Sequence, residues 1–185
     1  MINEEYYVWT EACQFGLLDA ANELTETVQN KRELLSVDEA LTYRITTQGD
    51  SEQLADVYYS PKFLLSEKLY ALLRPFDLPY VQFIPANIEQ LSAKFYLLKV
   101  INFISLIDEK KSKVTIRRGN IKNVDRFLLS SELANINLTD RLIFKVGHSP
   151  VTVVHKSIVD SLSVHNLQGV HFVPVTAWSP WAGAG

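Results

Sequence analysis

The chain has 185 residues, 47% hydrophobic and 21% charged, proportions that exclude a disordered tail, a collagen-like fibre and a coiled coil. Eighteen Lys+Arg against 21 Asp+Glu give a net charge of −3, which excludes a general polyanion binder. That near-neutrality hides a polarity: residues 1–60 hold 12 acids and 3 bases, net −9, whereas residues 61–185 hold 9 acids and 15 bases, net +6.

The opening stretch, MINEEYYVWTEAC, has neither a basic leader nor a long apolar run, so no signal peptide is expected. Tyr6–Trp9 reads as a strand, and Leu17, Ala21, Leu24 and Val28 share one face of a predicted helix. Cys13 is the lone cysteine; it cannot form an intrachain disulfide and is read as a small buried hydrophobe. Ser36-Val37-Asp38-Glu39 has the form of a capping box opening a second short helix.

An internal repeat organises the rest. Shifting the sequence by 89 residues aligns residues 60–85 with 149–174 without a gap, and seven of the 26 positions are identical. Average composition would give roughly one or two. In the first copy Phe63-Leu64-Leu65 reads as a buried strand. A helix follows, capped by Ser66 and apolar at Leu69, Leu72, Leu73 and Phe76. Pro75 should end it, and Val81–Ile84 reads as a second strand closed by Pro85. The second copy repeats strand, helix and strand with Val151–Val154, Ile158 and Leu162, and Val170–Val173; Gly169 suits a turn with positive φ.

Between the copies, residues 94–108 (KFYLLKVINFISLID) are apolar at both parities and read as one strand buried on both faces, too short and too polar for a membrane helix. Val114–Ile116 is expected to pair back onto it as a hairpin, and Leu142-Ile143-Phe144 leads into the second copy. The predicted fold is α+β. A mixed sheet is built around two related strand–helix–strand units with helices packed on it, and an N-terminal α/β extension is added. Its parts are an acidic segment over 1–59, a main domain over 60–176 and a flexible Gly/Ala tail over 177–185.

The runs SEKLYALLRPFDLPYVQFIPANI, FYLLKVINFISLID and LIFKVGHSPVTVVHKSIVDSLSVHNLQGVHFVPV, in that order, resemble the immunity protein 11 family, bacterial proteins encoded beside polymorphic toxins. The residues that carry the resemblance are Ser66, Val81-Gln82-Phe83-Ile84-Pro85, Tyr96-Leu97-Leu98, Val100-Ile101-Asn102, Asp108, Phe144, Gly169 and Phe172. His155 stands where the family has a second helix-capping Ser. The resemblance covers roughly residues 54–175. It implies a cytoplasmic protein that binds one cognate toxin and neutralises it without catalysis.

The chemistry-bearing residues fit that expectation. His148, His155, His165 and His171 form no HExxH or zinc-type spacing, so neither metal nor cofactor is expected. His165 takes the place of Phe76 and is expected to be partly buried. No Gly-rich phosphate loop or nucleophile elbow occurs, and no enzyme is expected. Glu23, Glu26 and Glu33 read as a solvated helix face. Asp38, Glu39, Asp50, Glu52 and Asp56 form an acidic set that could imitate phosphates and meet a toxin with a basic surface, as a nuclease has. The alternative is a nucleic-acid-associated protein using the basic run Lys110, Lys111, Lys113, Arg117 and Arg118; that run lacks interleaved aromatics and reads more simply as an exposed hairpin.

Overall fold

A computed structural model describes residues 1–10, 15–49 and 54–180. In chain order its elements begin with β1 (Tyr6–Thr10), β2 (Leu17–Ala20), α1 (Glu23–Asn30), β3 (Leu41–Thr47), β4 (Val57–Tyr58) and β5 (Leu64–Ser66). There follow α2 (Glu67–Leu73), β6 (Val81–Ile88), β7 (Lys94–Val100), β8 (Phe103–Ile104), β9 (Lys113–Arg117) and β10 (Asn120–Arg126). The last are β11 (Ile143–Val146), β12 (Thr152–His155), α3 (Lys156–Ser163) and β13 (His171–Pro174). They form an α+β fold with one mixed sheet in the order β2-β3-β6-β7-β5-β4, a second in the order β13-β1-β12-β11-β8, and the hairpin β9–β10.

Both predicted strand–helix–strand units are present, and their helices begin and pack alike. Ser66 Oγ accepts the Leu69 N–H at 3.2 Å to open α2, and His155 Nδ1 accepts the Ser157 N–H at 3.2 Å to open α3. His155 therefore still caps the helix where the other copy has Ser. Leu69 and Leu73 of α2 and Ile158 and Leu162 of α3 are buried, each pair one turn apart. All four enter one central cluster with Leu65, Leu98, Val154 and Trp9. Each such side chain stabilises by about 1.5–3 kcal/mol. The opposite faces of the two sheets are buried as well. Leu64, Ile84 and Leu97 pack with Val28, Leu41 and Tyr43, while Val8, Phe144 and Val153 pack with Ile121, Val124 and Phe127.

The duplication runs further than residues 60–85 and 149–174. In the first sheet β7 lies antiparallel between β5 and β6, with Leu97 opposite both Leu64 and Ile84. In the second, β1 lies antiparallel between β12 and β13, with Val8 opposite both Val153 and Val173. Val8 precedes Leu97 by the same 89 residues that separate Leu64 from Val153 and Ile84 from Val173. The molecule is thus two copies in tandem, and the first strand of each is inserted between the two later strands of the other.

Several expectations are corrected. Leu17 to Val28 is a strand followed by a helix, because Asn22 caps at that point: its Oδ1 accepts the Thr25 N–H at 2.9 Å. Residues 31–40 form no second helix; the Gln82 carboxamide instead fastens the backbone of Leu35, Oε1 accepting its N–H at 3.1 Å and Nε2 donating to its carbonyl. Residues 94–108 are two strands in different sheets, and the chain crosses at Asn102, whose Nδ2 donates to Asp140 O at 2.6 Å. β9 pairs forward with β10 rather than back with that segment. β6 continues through Pro85 to Ile88, which is tolerated because β3 pairs with it only from Ala86 onward. His165 is exposed beyond the end of α3, and Trp178 is buried against Phe127, with ring centroids 5.6 Å apart. Residues 181–185 of the expected tail lie outside the described residues, as does Cys13.

Candidate functional site

Among the described residues, the acidic set predicted from sequence is divided between the surface and the interior. Asp38 and Glu39 are exposed in the 31–40 loop, while Asp50 and Glu52 lie outside the described residues. Asp56 is 9% exposed and engaged within the fold. Its Oδ1 accepts from Ser66 Oγ at 2.6 Å and its Oδ2 accepts the Gln168 N–H at 2.8 Å, so it ties the helix cap of one copy to the turn of the other. Asp38 and Glu39 rim a groove of about 440 Å³ between α1 and the loop, with Leu24, Val28, Leu35 and Val37 along it. Glu23 and Glu26 sit in the first turn of α1, where acids complement the helix dipole.

The basic run sits on the β9–β10 hairpin. Arg118 (φ 51°) and Gly119 (φ 73°) make its two-residue turn, placing Arg117 and Arg118 at an exposed tip. Lys111 pairs with Asp108 at 3.3 Å and Lys113 with Asp125 at 3.3 Å, both solvated contacts of little energetic weight, and Lys110 is exposed. Ile121 and Val124 hold the hairpin to the core.

A second basic feature had no sequence signature as a cluster. Lys99, one residue from the end of β7, donates from Nζ to Val28 O at 2.8 Å and Lys31 O at 2.6 Å, satisfying carbonyls at and beyond the C-terminal turn of α1. Beside it opens a cleft of about 320 Å³ lined by Lys31, Arg32, Lys62, Lys99, Lys145 and His148. Arg32 Nη1 donates to His148 Nδ1 at 2.8 Å, and its guanidinium lies 6.0 Å from the Phe103 ring centroid. Burial, reinforced by Lys62, Arg32 and Lys99, brings the Lys145 ammonium down to about 8. Lys99 is lowered mainly by burial and next by Lys62, with Glu33 opposing. Loss of solvent and then Arg32 and Lys122 lower His148, consistent with an unprotonated Nδ1 facing Arg32. The one hint in sequence was a lysine inside a strand read as buried on both faces.

Among the described residues no group of three or more His, Cys, Asp or Glu is placed to hold a metal ion, and no helix is long and apolar enough to cross a membrane. What the fold offers is a doubled α+β scaffold with an acidic, apolar groove and a cationic cleft. The model of the Immunity protein family (Imm11) matches residues 24–177, and the chain belongs to that family. The match reaches well into the N-terminal third, past the limits of the motif-based resemblance. No curated protein matches the chain.

Proposed function

We propose that this immunity protein acts in the cytoplasm, binding one cognate toxin and covering its active site or substrate path without catalysis of its own. The family match over residues 24–177 carries the reading. The contact face we assign is the groove between α1 and the 31–40 loop, where Leu24 and Val37 offer apolar area beside Asp38 and Glu39. Apolar area beside exposed carboxylates suits a basic toxin surface of the kind a nuclease presents, and the charges would hasten association. Protection requires rare dissociation, hence affinity of nanomolar order, about −12 kcal/mol.

Co-expression with the toxin encoded nearby tests the idea, with the purified pair measured by surface plasmon resonance. The expected result is a one-to-one complex that abolishes toxicity, with association slowed at least tenfold by Asp38→Lys/Glu39→Lys at low salt. A lethal toxin with no complex refutes the role. A complex indifferent to that variant refutes the face.

A further inference from the structure

The cationic cleft adjoins the groove assigned to the toxin, and Lys31 lines both. Lys31, Arg32, Lys62 and Lys145 line it together with His148, and no Asp or Glu among the described residues does so. Glu33 pairs with Lys31 at 4.0 Å, between two solvated side chains. On an open surface like charges spread into water at little cost. Here Lys31 and Arg32 are exposed, but Lys62 and Lys145 are half-buried at the seam between the two copies. A narrower cavity of about 120 Å³ continues from Lys62 and Lys145 past Pro61 and Pro150, which are equivalent residues of the repeat.

Gathering like charges in a partly desolvated site opposes folding. Lys99 has a structural reason to be there, since it caps α1. The ammonium groups of Lys62 and Lys145 have none: neither makes a hydrogen bond or ion pair with a described residue, yet both side chains line the same two cavities. The missing counter-charge is therefore external. The cleft is of small-ligand size, near the lower end of the range of about 300–1,000 Å³ for such sites. Recognition rests on lysine ammonium groups acting as point charges around one guanidinium, an arrangement that favours high charge density and tetrahedral phosphate oxygens.

We propose that this cleft is a binding site for a compact polyphosphate, the di- or triphosphate group of a small molecule, held by Lys31, Arg32, Lys62 and Lys145. A bound anion raises the basicity of Lys145, which burial and its cationic neighbours bring down to about 8.

Isothermal titration of the full chain with pyrophosphate at low salt and pH 8 tests this. Saturable one-to-one binding is expected. Lys145→Met should weaken binding at least tenfold. Lys62→Gln, at a half-buried position with no partner, should do the same while leaving the fold intact. The hairpin variant Lys110→Ala/Lys111→Ala should bind within twofold of the parent. No saturable heat overturns the proposal, as does an equal loss in the hairpin variant. Citrate binding as tightly as pyrophosphate overturns the phosphate assignment.

Discussion

Asp56→Ala is the most informative single substitution, because it separates a structural acid from a toxin-contacting one. Oδ1 accepts from Ser66 Oγ at 2.6 Å and Oδ2 from the Gln168 N–H at 2.8 Å. The backbone doubles the bridge, with Asp56 N donating to Gln168 O at 2.8 Å and Ser66 N donating to Asp56 O at 2.8 Å. The side chain is 12% exposed, so water is a poor substitute for the lost acceptor. Hydrogen bonds to a charged acceptor contribute about 1.5–3 kcal/mol each. Lys68, 4.0 Å away and half exposed, adds little. Losing both bonds should cost about 3–5 kcal/mol, and at about 2–4 °C per kcal/mol for a chain of this size the Tm should fall by about 10 °C. Asp56→Asn keeps the shape and one acceptor, and its new N–H can donate to Ser66 Oγ, so it should cost only about 1–2 kcal/mol. Urea unfolding with a common m-value measures both. If Asp56→Ala costs less than about 1 kcal/mol, the bridge does not hold the copies together. If Asp56→Asn is fully stable but loses toxin affinity, the residue belongs to the interface after all.

Three further outcomes can be checked on the same purified protein. Gly169→Ala should cost about 2 kcal/mol by urea unfolding, since φ is +80° and a Cβ would stand 3.0 Å from the Phe15 ring carbons and 3.3 Å from Val57 O. Leu69→Ala and Ile158→Ala, equivalent and both 0% exposed, should each cost about 2–5 kcal/mol; values far apart would contradict equivalent packing of the two copies. Burial lowers His155 below its ordinary 6.5 despite the opposing Glu5, and its Nδ1 caps α3 only when unprotonated. The unfolded chain thus binds more protons near and below that value, so stability is full above it and declines as the pH falls through it. His155→Ser, which restores the capping residue of the other copy, should lose less stability between pH 7.5 and pH 5 than the parent; equal slopes would refute this.

What sequence could reveal here was whatever is written in consecutive residues. The cap of α2 and the buried turns of both helices were legible, because apolar residues four apart leave a helix little choice of face; the His155 cap of α3 was not, since a histidine there reads as the loss of a capping Ser. The apolar spacing from Leu17 to Val28 misled, since it is compatible with a helix until Asn22 supplies a competing start. The capping-box pattern at Ser36 failed because Gln82, remote in sequence, claims the backbone of Leu35. Charge behaved in the same way. The run from Lys110 to Arg118 is contiguous in sequence, and the fold lays it along a solvated hairpin with Lys111 and Lys113 in local ion pairs. Lys62, Lys99 and Lys145 stand alone in the chain, and only the pairing of β5 with β7 and the seam with β11 bring them to one cleft.

The exchange of first strands has a consequence for any fragment cut at the limits of the family match. Residues 24–177 omit β1, the middle strand between β12 and β13, and β2, the edge strand beside β3 in the other sheet. Removal of β1 leaves β13 without a strand partner and β12 with β11 alone, and it takes Tyr6, Val8 and Trp9, each 3% exposed or less, out of two core clusters. At about 1.5–3 kcal/mol per side chain the loss is on the order of 6 kcal/mol, comparable with the 5–15 kcal/mol that holds a typical domain together. The fragment should therefore fail to show a cooperative thermal transition, and its newly unpaired strands should promote aggregation. The damage should also be lopsided: β5, β6 and β7 keep all their partners, so any residual hydrogen-exchange protection should lie there and not in β12 and β13. A 24–177 fragment that melts within a few degrees of the whole chain would show that β1 is dispensable, and the two copies would then not depend on each other's first strand.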